Sequence, residues 1–119
     1  MKSARKYVLL GLAVVLLAAL LSGCSVAVTP RYGEIKICAR ERSAISGWVY
    51  IDGDDMDEYI DGWDGPYCTK WIYTTLDEEH LLEIRGSEIW RTWFTPTRDR
   101  QTITVYTPDG ETLTVEYSY

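Results

Sequence analysis

The densest group of potential metal ligands in the sequence is an acidic stretch near its middle. The segment "DGDDMDEYIDGWD", residues 52–64, contains seven carboxylates and no basic residue. Calcium takes about six to eight oxygen ligands, which clustered carboxylates in a glycine-containing loop can supply. The EF-hand spacing is not met, since Met56 and Asp57 occupy positions that require a ligand and a glycine. Aspartates also cap turns and keep loops soluble, so a solvated loop remains an alternative to a calcium site formed by Asp52, Asp54, Asp55, Asp57 and Asp61.

Aromatic side chains are the second group that suggests a binding function. Without residues 1–23 the chain retains five Trp, eight Tyr and one Phe. Exposed flat rings would stack on the apolar faces of sugars, whereas buried rings would fill the core of a small domain. The candidate contacts with a glycan or a protein partner are Trp63, Trp71, Tyr73 and Trp93.

No arrangement of residues typical of catalysis is recognisable. His80 is the single histidine, and no serine or cysteine stands at a recognisable spacing from it as a nucleophile. We expect no enzyme activity and no cofactor, with calcium as the one alternative. The competing class is an enzyme or an accessory subunit of an envelope enzyme. Carboxylates such as Asp52 and Asp61 could carry out acid–base chemistry there.

The N-terminus has the organisation of an export signal. Three basic residues in "MKSARK" precede the uncharged residues 7–21, a charged region followed by an apolar region. Fifteen residues form a helix of roughly 22 Å, which is short for a hydrocarbon layer of about 30 Å. The following "Leu21-Ser22-Gly23-Cys24" resembles a bacterial lipobox. That resemblance implies cleavage after Gly23 and lipidation of Cys24, with the membrane as a partner. A spanning anchor over residues 7–28 is the alternative.

The charge of the remaining chain argues against nucleic acid as a partner. Removal of residues 1–23 leaves 18 acidic and 9 basic residues, a net charge of about −9. Phosphate backbones are bound by Lys and Arg, which are in the minority here. The two other cysteines, Cys38 and Cys68, are predicted to form a disulfide, since an exported domain lies where disulfides persist. Two free thiols are the alternative.

The elements that must position these residues are strands. About seven short β-branched and aromatic segments recur at roughly ten-residue spacing, which is typical of an antiparallel sandwich. The acidic stretch is predicted to be the loop between the second and third strands. The last two strands flank "PDGE", residues 108–111, whose Pro and Gly favour a hairpin turn. The predicted fold is all-β, a small antiparallel β-sandwich preceded by an N-terminal apolar helix that is the signal peptide.

One segment resembles a known module. "GWVYIDG" at 47–53, "GP" at 65–66 and "LDEEHLLEI" at 76–84 are similar to the PEGA domain, a small β-sandwich found on exported and membrane-attached prokaryotic proteins. The resemblance implies an accessory or binding module of the cell envelope and no catalytic residue. It also places His80 at the start of a strand, which implies a structural hydrogen bond for this side chain. The expected organisation is a signal peptide over residues 1–23, a tether over 24–33 and a PEGA-like domain over 34–119. The domain would face the periplasm or the cell exterior and bind an envelope protein or a polysaccharide.

Overall fold

The computed structural model describes residues 29–119. Within this range, Arg31–Tyr119 forms one compact unit. The predicted signal peptide with its apolar helix, the cleavage site at Gly23, the lipidation site at Cys24 and residues 24–28 of the tether lie outside the described residues. Among residues 29–119, no helix has the length and apolar character needed to cross a bilayer.

The domain is all-β and consists of eight strands in two four-stranded sheets. The first sheet has the order β4-β1-β7-β8 and the second has the order β3-β2-β5-β6. The strands are β1 (Tyr32–Ala39), β2 (Ser46–Ile51), β3 (Asp54–Asp61), β4 (Ile72–Thr75), β5 (His80–Arg85), β6 (Ile89–Phe94), β7 (Gln101–Tyr106) and β8 (Thr114–Ser118). This confirms the predicted fold class and the hairpin across residues 108–111, which joins β7 to β8.

Two features differ from the predicted antiparallel arrangement of about seven strands. First, β1 and β7 run parallel, with Ile35 opposite Gln101 and Ala39 opposite Val105. Second, most of the acidic stretch is not a loop. Asp54–Asp61 forms a strand that was not predicted, β3, which pairs with β2. The strand lies at a sheet edge, so its carboxylates remain in contact with water. A register shift opposite Trp48 and Tyr50 bulges β3, and Asp57 within the bulge has a φ of 56°.

The core lies between the two sheets and is dominated by β-branched residues, which suit the pleated surface of a strand. Along β2 and β7 alternate residues point inwards, so the buried positions follow a period of two. The buried apolar cluster is Ile35, Ile37, Ala39, Ile45, Val49, Ile51, Ile60, Ile72, Leu82, Ile84, Phe94, Ile103, Val105 and Leu113.

The predicted disulfide is confirmed between Cys38 and Cys68, whose Cα atoms are 4.0 Å apart. It fastens the segment after β3 to the end of β1, where the two cysteines also form an isolated β-bridge. Hydrogen bonds flank the disulfide on both sides, from Ala39 N to the Tyr67 carbonyl at 2.7 Å and from Thr69 N to the Ile37 carbonyl at 2.8 Å. The short connection that precedes β4 is thereby held against the first sheet.

Two glycines bring the start of β2 close to the turn between β5 and β6. A Cβ on Gly47, whose φ is 152°, would lie 2.5 Å from the carbonyl carbon of Arg85. A Cβ on Gly86 would lie 2.4 Å from the carbonyl oxygen of Ser46. The absence of a side chain at both positions therefore permits the close packing at the end of the second sheet that carries Trp48 and Arg85.

Candidate functional site

The outer face of the second sheet carries the largest group of exposed aromatic and aliphatic side chains that share one surface. Its side chains stand in rows across the four strands, because residues paired across strands point to the same side. One row places Tyr59, Trp48, Arg85 and Ile89 side by side, as the strand registers show. We call this surface the Trp–Arg face; its members are Trp48, Tyr50, Tyr59, Leu81, Glu83, Arg85, Ile89, Arg91 and Trp93.

The apolar members of the Trp–Arg face are unusually open to solvent for a small domain. Trp93 is 58% exposed and Ile89 is 57% exposed, both on β6. Trp48 is 47% exposed and packs edge-on against Tyr59, with ring centroids 5.4 Å apart. Contiguous exposed apolar surface of this kind marks interaction sites more often than isolated exposed residues do.

A buried carboxylate organises the polar part of the same face. Glu83 is only 4% exposed, although it points to the outside of the sheet. Its Oε2 accepts a hydrogen bond from Arg91 Nε at 2.8 Å, and its Oε1 accepts one from Arg85 at 3.0 Å. The hydrogen bonds from Arg91 and Arg85 hold the pKa of Glu83 below its ordinary value. Two guanidinium groups are therefore fixed on the face around one carboxylate, and Asp55, paired with Tyr50, adds a second carboxylate to the same row.

Arg85 is held in place by an aromatic ring and by the Glu83 carboxylate. Its guanidinium lies over the ring of Tyr50 at 3.9 Å from the centroid, a favourable cation–π contact. Its hydrogen bond to Glu83 raises its pKa further above the ordinary value. Its buried Nε has no hydrogen-bond partner among the described residues. Beside it a shallow depression of about 520 Å³ is lined by Leu81, Glu83, Arg85, Arg91, Thr92 and Trp93.

His80 forms the second notable polar arrangement, inside the domain. It is 5% exposed, and its Nδ1 lies 2.5 Å from the Asp52 carboxylate. Its Nε2 lies 2.9 Å from the carbonyl oxygen of Thr75. The Asp52 carboxylate and the Thr75 carbonyl are both acceptors, so both ring nitrogens donate when the ring is protonated. Burial acts to lower the pKa of His80, but the hydrogen bonds to Asp52 and Thr75 raise it above its ordinary value.

This arrangement agrees with the structural role predicted for His80. Both nitrogens of this buried ring contact protein oxygens, and in the protonated form neither offers a lone pair to a substrate. Asp52 also accepts a hydrogen bond from Leu81 N at 2.9 Å. Burial acts to raise the pKa of Asp52, but the hydrogen bonds from His80 and Leu81 lower it. Asp52 thus joins the turn after β2 to the start of β5.

The structure uses the other candidate calcium ligands in separate local contacts. Asp55 accepts a hydrogen bond from Asp57 N at 2.9 Å. Asp61 accepts bonds from Trp63 N and Asp64 N at 2.8 and 3.2 Å. Asp54 is exposed at the start of β3. Within residues 29–119, no three or more carboxylate, histidine or cysteine side chains converge as a metal site would require.

The four aromatic candidates lie on the Trp–Arg face, in the turn after β3, and on or beside the first sheet, where two of them are found. Trp93 belongs to the Trp–Arg face, whereas Trp63 lies in the turn after β3 and is exposed. Tyr73 lies on the first sheet and stacks on Tyr32, with ring centroids 5.5 Å apart. Trp71 precedes β4 and lies between Lys36, 4.4 Å from its ring centroid, and the Arg100 guanidinium at 4.9 Å.

Sequence reasoning missed most of the Trp–Arg face, namely Trp48, Tyr59, Ile89 and the arginines around Glu83. The alternation of "GWVYID" in β2 already places Trp48 and Tyr50 on one side, opposite the buried Val49 and Ile51. That signal indicates an aromatic strand face but not its neighbours, which depend on the register with β3, β5 and β6.

Known proteins offer no further guide to this surface. No protein family, no curated protein and no solved structure matched the chain.

Proposed function

We propose that this chain is a lipid-anchored cell-envelope protein whose β-sandwich is a non-catalytic module that binds an envelope protein or glycan. The observation that carries the proposal is the Trp–Arg face, where exposed Trp48, Ile89 and Trp93 surround the arginines fixed by Glu83. Interaction surfaces are enriched in aromatic residues and Arg. The resemblance of residues 47–84 to the PEGA domain supports the same class of function.

Export and anchoring are supported by the sequence and by the disulfide. The basic residues, the apolar run and the lipobox-like "LSGC" precede a domain that contains a Cys38–Cys68 bond. Disulfides of this kind persist outside the reducing cytosol. Acyl chains on Cys24 would hold the protein at a membrane, since each buried methylene contributes about 0.8 kcal/mol.

Replacing Cys24 by alanine is expected to abolish anchoring. Intact mass of the membrane-extracted wild-type protein should show loss of residues 1–23 and the addition of acyl chains. The Cys24→Ala variant should lack the acyl mass, because the acceptor thiol is gone. An unprocessed, unacylated wild-type chain that remains in the membrane would instead indicate a spanning anchor over residues 7–28.

Binding through the Trp–Arg face is tested by paired aromatic substitutions. The double variant Trp48→Ala/Trp93→Ala is expected to weaken co-sedimentation with isolated envelope fragments at least tenfold. Loss of two aromatic anchors typically costs more than about 2 kcal/mol at an interface. Circular dichroism should show an unchanged fold, since both side chains are half-exposed.

Two matched variants separate this face from the other aromatic candidates. Trp63→Ala changes the loop after β3, and Tyr73→Ala changes the outer face of the first sheet. Both should bind within about twofold of wild type. A large loss in either of them, with the double variant unaffected, would move the binding surface away from the Trp–Arg face.

A further inference from the structure

The four sheet edges of the domain differ sharply in how they are protected. Edge strands present unpaired backbone groups, and natural proteins cover them with charge, bulges or short length. In the second sheet, β3 has five carboxylates in eight residues and a bulge opposite Trp48 and Tyr50. In the first sheet, β4 has only four residues, and β8 exposes Glu116. These three edges are poor templates for another strand.

The remaining edge, β6, is longer than β4 and β8 and has no bulge. Its six residues, "IWRTWF", contain no proline and no acidic residue. Arg91 is its one charged residue, and its Nε is already bound to Glu83. The two most exposed apolar side chains of the Trp–Arg face, Ile89 and Trp93, both belong to this strand.

The direction of the backbone groups on β6 follows from the pairing of β5. Asp52 N donates to the Leu81 carbonyl, so Leu81 directs its backbone groups towards β2. Backbone direction alternates along an antiparallel strand, so Leu82 directs its groups towards β6 and bonds its partner Thr92. The N–H and C=O groups of Ile89, Arg91 and Trp93 therefore point away from the sheet.

A contact at the end of β6 agrees with this alternation. Thr95 N, the next outward-pointing amide after that of Trp93, donates to the Tyr117 hydroxyl at 2.9 Å. The outward amide there is occupied by a side chain from β8. Among the described residues, the outward groups of Ile89, Arg91 and Trp93 have no such contact.

Resting on the proposed binding function, we infer that β6 binds a partner protein by adding one of its extended strands to the sheet. The backbone groups of Ile89, Arg91 and Trp93 supply the main-chain hydrogen bonds, as in other cases of strand addition. Their side chains supply the selectivity. The partner strand has an acidic residue opposite Arg91 and an apolar residue two positions away on each side, opposite Ile89 and Trp93.

A second copy of this chain fits the edge less well than such a partner. Pairing β6 with itself in full register places Arg91 opposite Arg91, and like charges directly opposite destabilise a sheet. An acidic residue on the strand of a different protein removes this repulsion, because it faces Arg91, whose side chain is 64% exposed.

The probe is a blocked peptide, Ser-Val-Thr-Glu-Thr-Val-Ser, added to the full chain in detergent micelles. We expect the amide protons of Ile89, Arg91 and Trp93 to exchange at least tenfold more slowly at saturating peptide. A peptide with lysine in place of glutamate should bind at least tenfold more weakly. No protection of these amides at millimolar peptide, or protection confined to β3 or β8, would overturn the inference.

Two variants at one position distinguish strand addition from stacking on Trp93. Trp93→Thr keeps the amide and is expected to bind within about threefold of wild type. Trp93→Pro removes an outward N–H and leaves the β5–β6 ladder intact, as edge prolines do, and should bind at least tenfold more weakly than Trp93→Thr. Equal loss in both variants would indicate side-chain binding, which supports the proposed function and contradicts strand addition.

A modified peptide gives the same comparison on wild-type protein, should the proline variant not fold. N-methylation of the glutamate and both valines blocks the amides that face β6, and we expect this peptide not to bind. N-methylation of the two threonines blocks only the opposite edge of the peptide and should leave affinity within about threefold. Equal affinity of the two methylated peptides would contradict strand addition. Protection of the Ile89, Arg91 and Trp93 amides from exchange in the absence of peptide would identify a second copy of this chain as the occupant of β6.

Discussion

Loss of the Cys38–Cys68 disulfide is expected to lower the free energy of unfolding by about 3–4 kcal/mol, from the entropy of closing a loop of this size. The two cysteines are 30 residues apart, and the loop between them contains all of β2 and β3. Without the disulfide the unfolded chain gains conformations, and the folded segment around Cys68 is held to β1 by hydrogen bonds of Tyr67 and Thr69. Denaturant unfolding of oxidised and reduced protein measures the difference.

The experiment is cleanest in a Cys24→Ala background, where Cys38 and Cys68 are the remaining cysteines. The double variant Cys38→Ala/Cys68→Ala should unfold at the midpoint of the reduced protein. Reductant should leave the midpoint of that double variant unchanged, which controls for effects of the reductant itself. A stability difference below about 1 kcal/mol would mean that the hydrogen bonds around the disulfide hold this segment unaided.

Replacing His80 by alanine is expected to destabilise the domain by about 3 kcal/mol, since a buried ring and its charged hydrogen bonds are both lost. The Thr75 carbonyl loses its donor, and the turn at Asp52 loses its link to β5. Asp52→Asn is the matched conservative change, because asparagine tolerates the φ of 53° at this position. This change should lower the free energy of unfolding by less, about 1–2 kcal/mol, since Asp52 is half-exposed. Chemical denaturation checks both values.

The same pair predicts how stability depends on pH. The pKa of His80 is raised above 6.5, so its contribution is complete below pH 6.5 and is lost as the pH rises through the folded-state pKa. The pKa of Asp52 is lowered below 3.8, so its contribution is present above pH 3.8 and is lost as the pH falls through the folded-state pKa.

Wild type should therefore lose stability relative to His80→Ala, which lacks the titrating group, as the pH rises from 6.5 through the raised folded-state pKa. NMR titration of the imidazole should show a pKa above 6.5 in wild type and a lower one in Asp52→Asn. Parallel stability profiles for wild type and His80→Ala would contradict the assignment of a charged, buried ring.

The sequence allowed the strand content to be predicted because most strands have a strong local signal. The turn residues of "PDGE" specified the last hairpin, and the alternation in "EIKICA" placed Ile35 and Ile37 inside. The disulfide followed from the small number of cysteines left once Cys24 was assigned to lipidation.

The errors arose where long-range pairing decided the structure. Charge and glycine in residues 52–64 favoured a loop, yet Asp54–Asp61 is a strand because an edge position leaves its carboxylates in water. The parallel pairing of β1 with β7 has no local signature, since it joins segments about 65 residues apart. The Trp–Arg face was missed for the same reason, because Trp48 meets Tyr59, Arg85 and Ile89 only through the registers of four strands.

The acidic, bulged strand β3 has a consequence for the size of any assembly. Head-to-tail contact between copies, with β6 of one chain on β3 of the next, would repeat without closing and produce a fibre. The bulge at Asp57 breaks the straight edge that such growth requires. Strand addition at β6 therefore ends after one step and yields a complex of fixed stoichiometry.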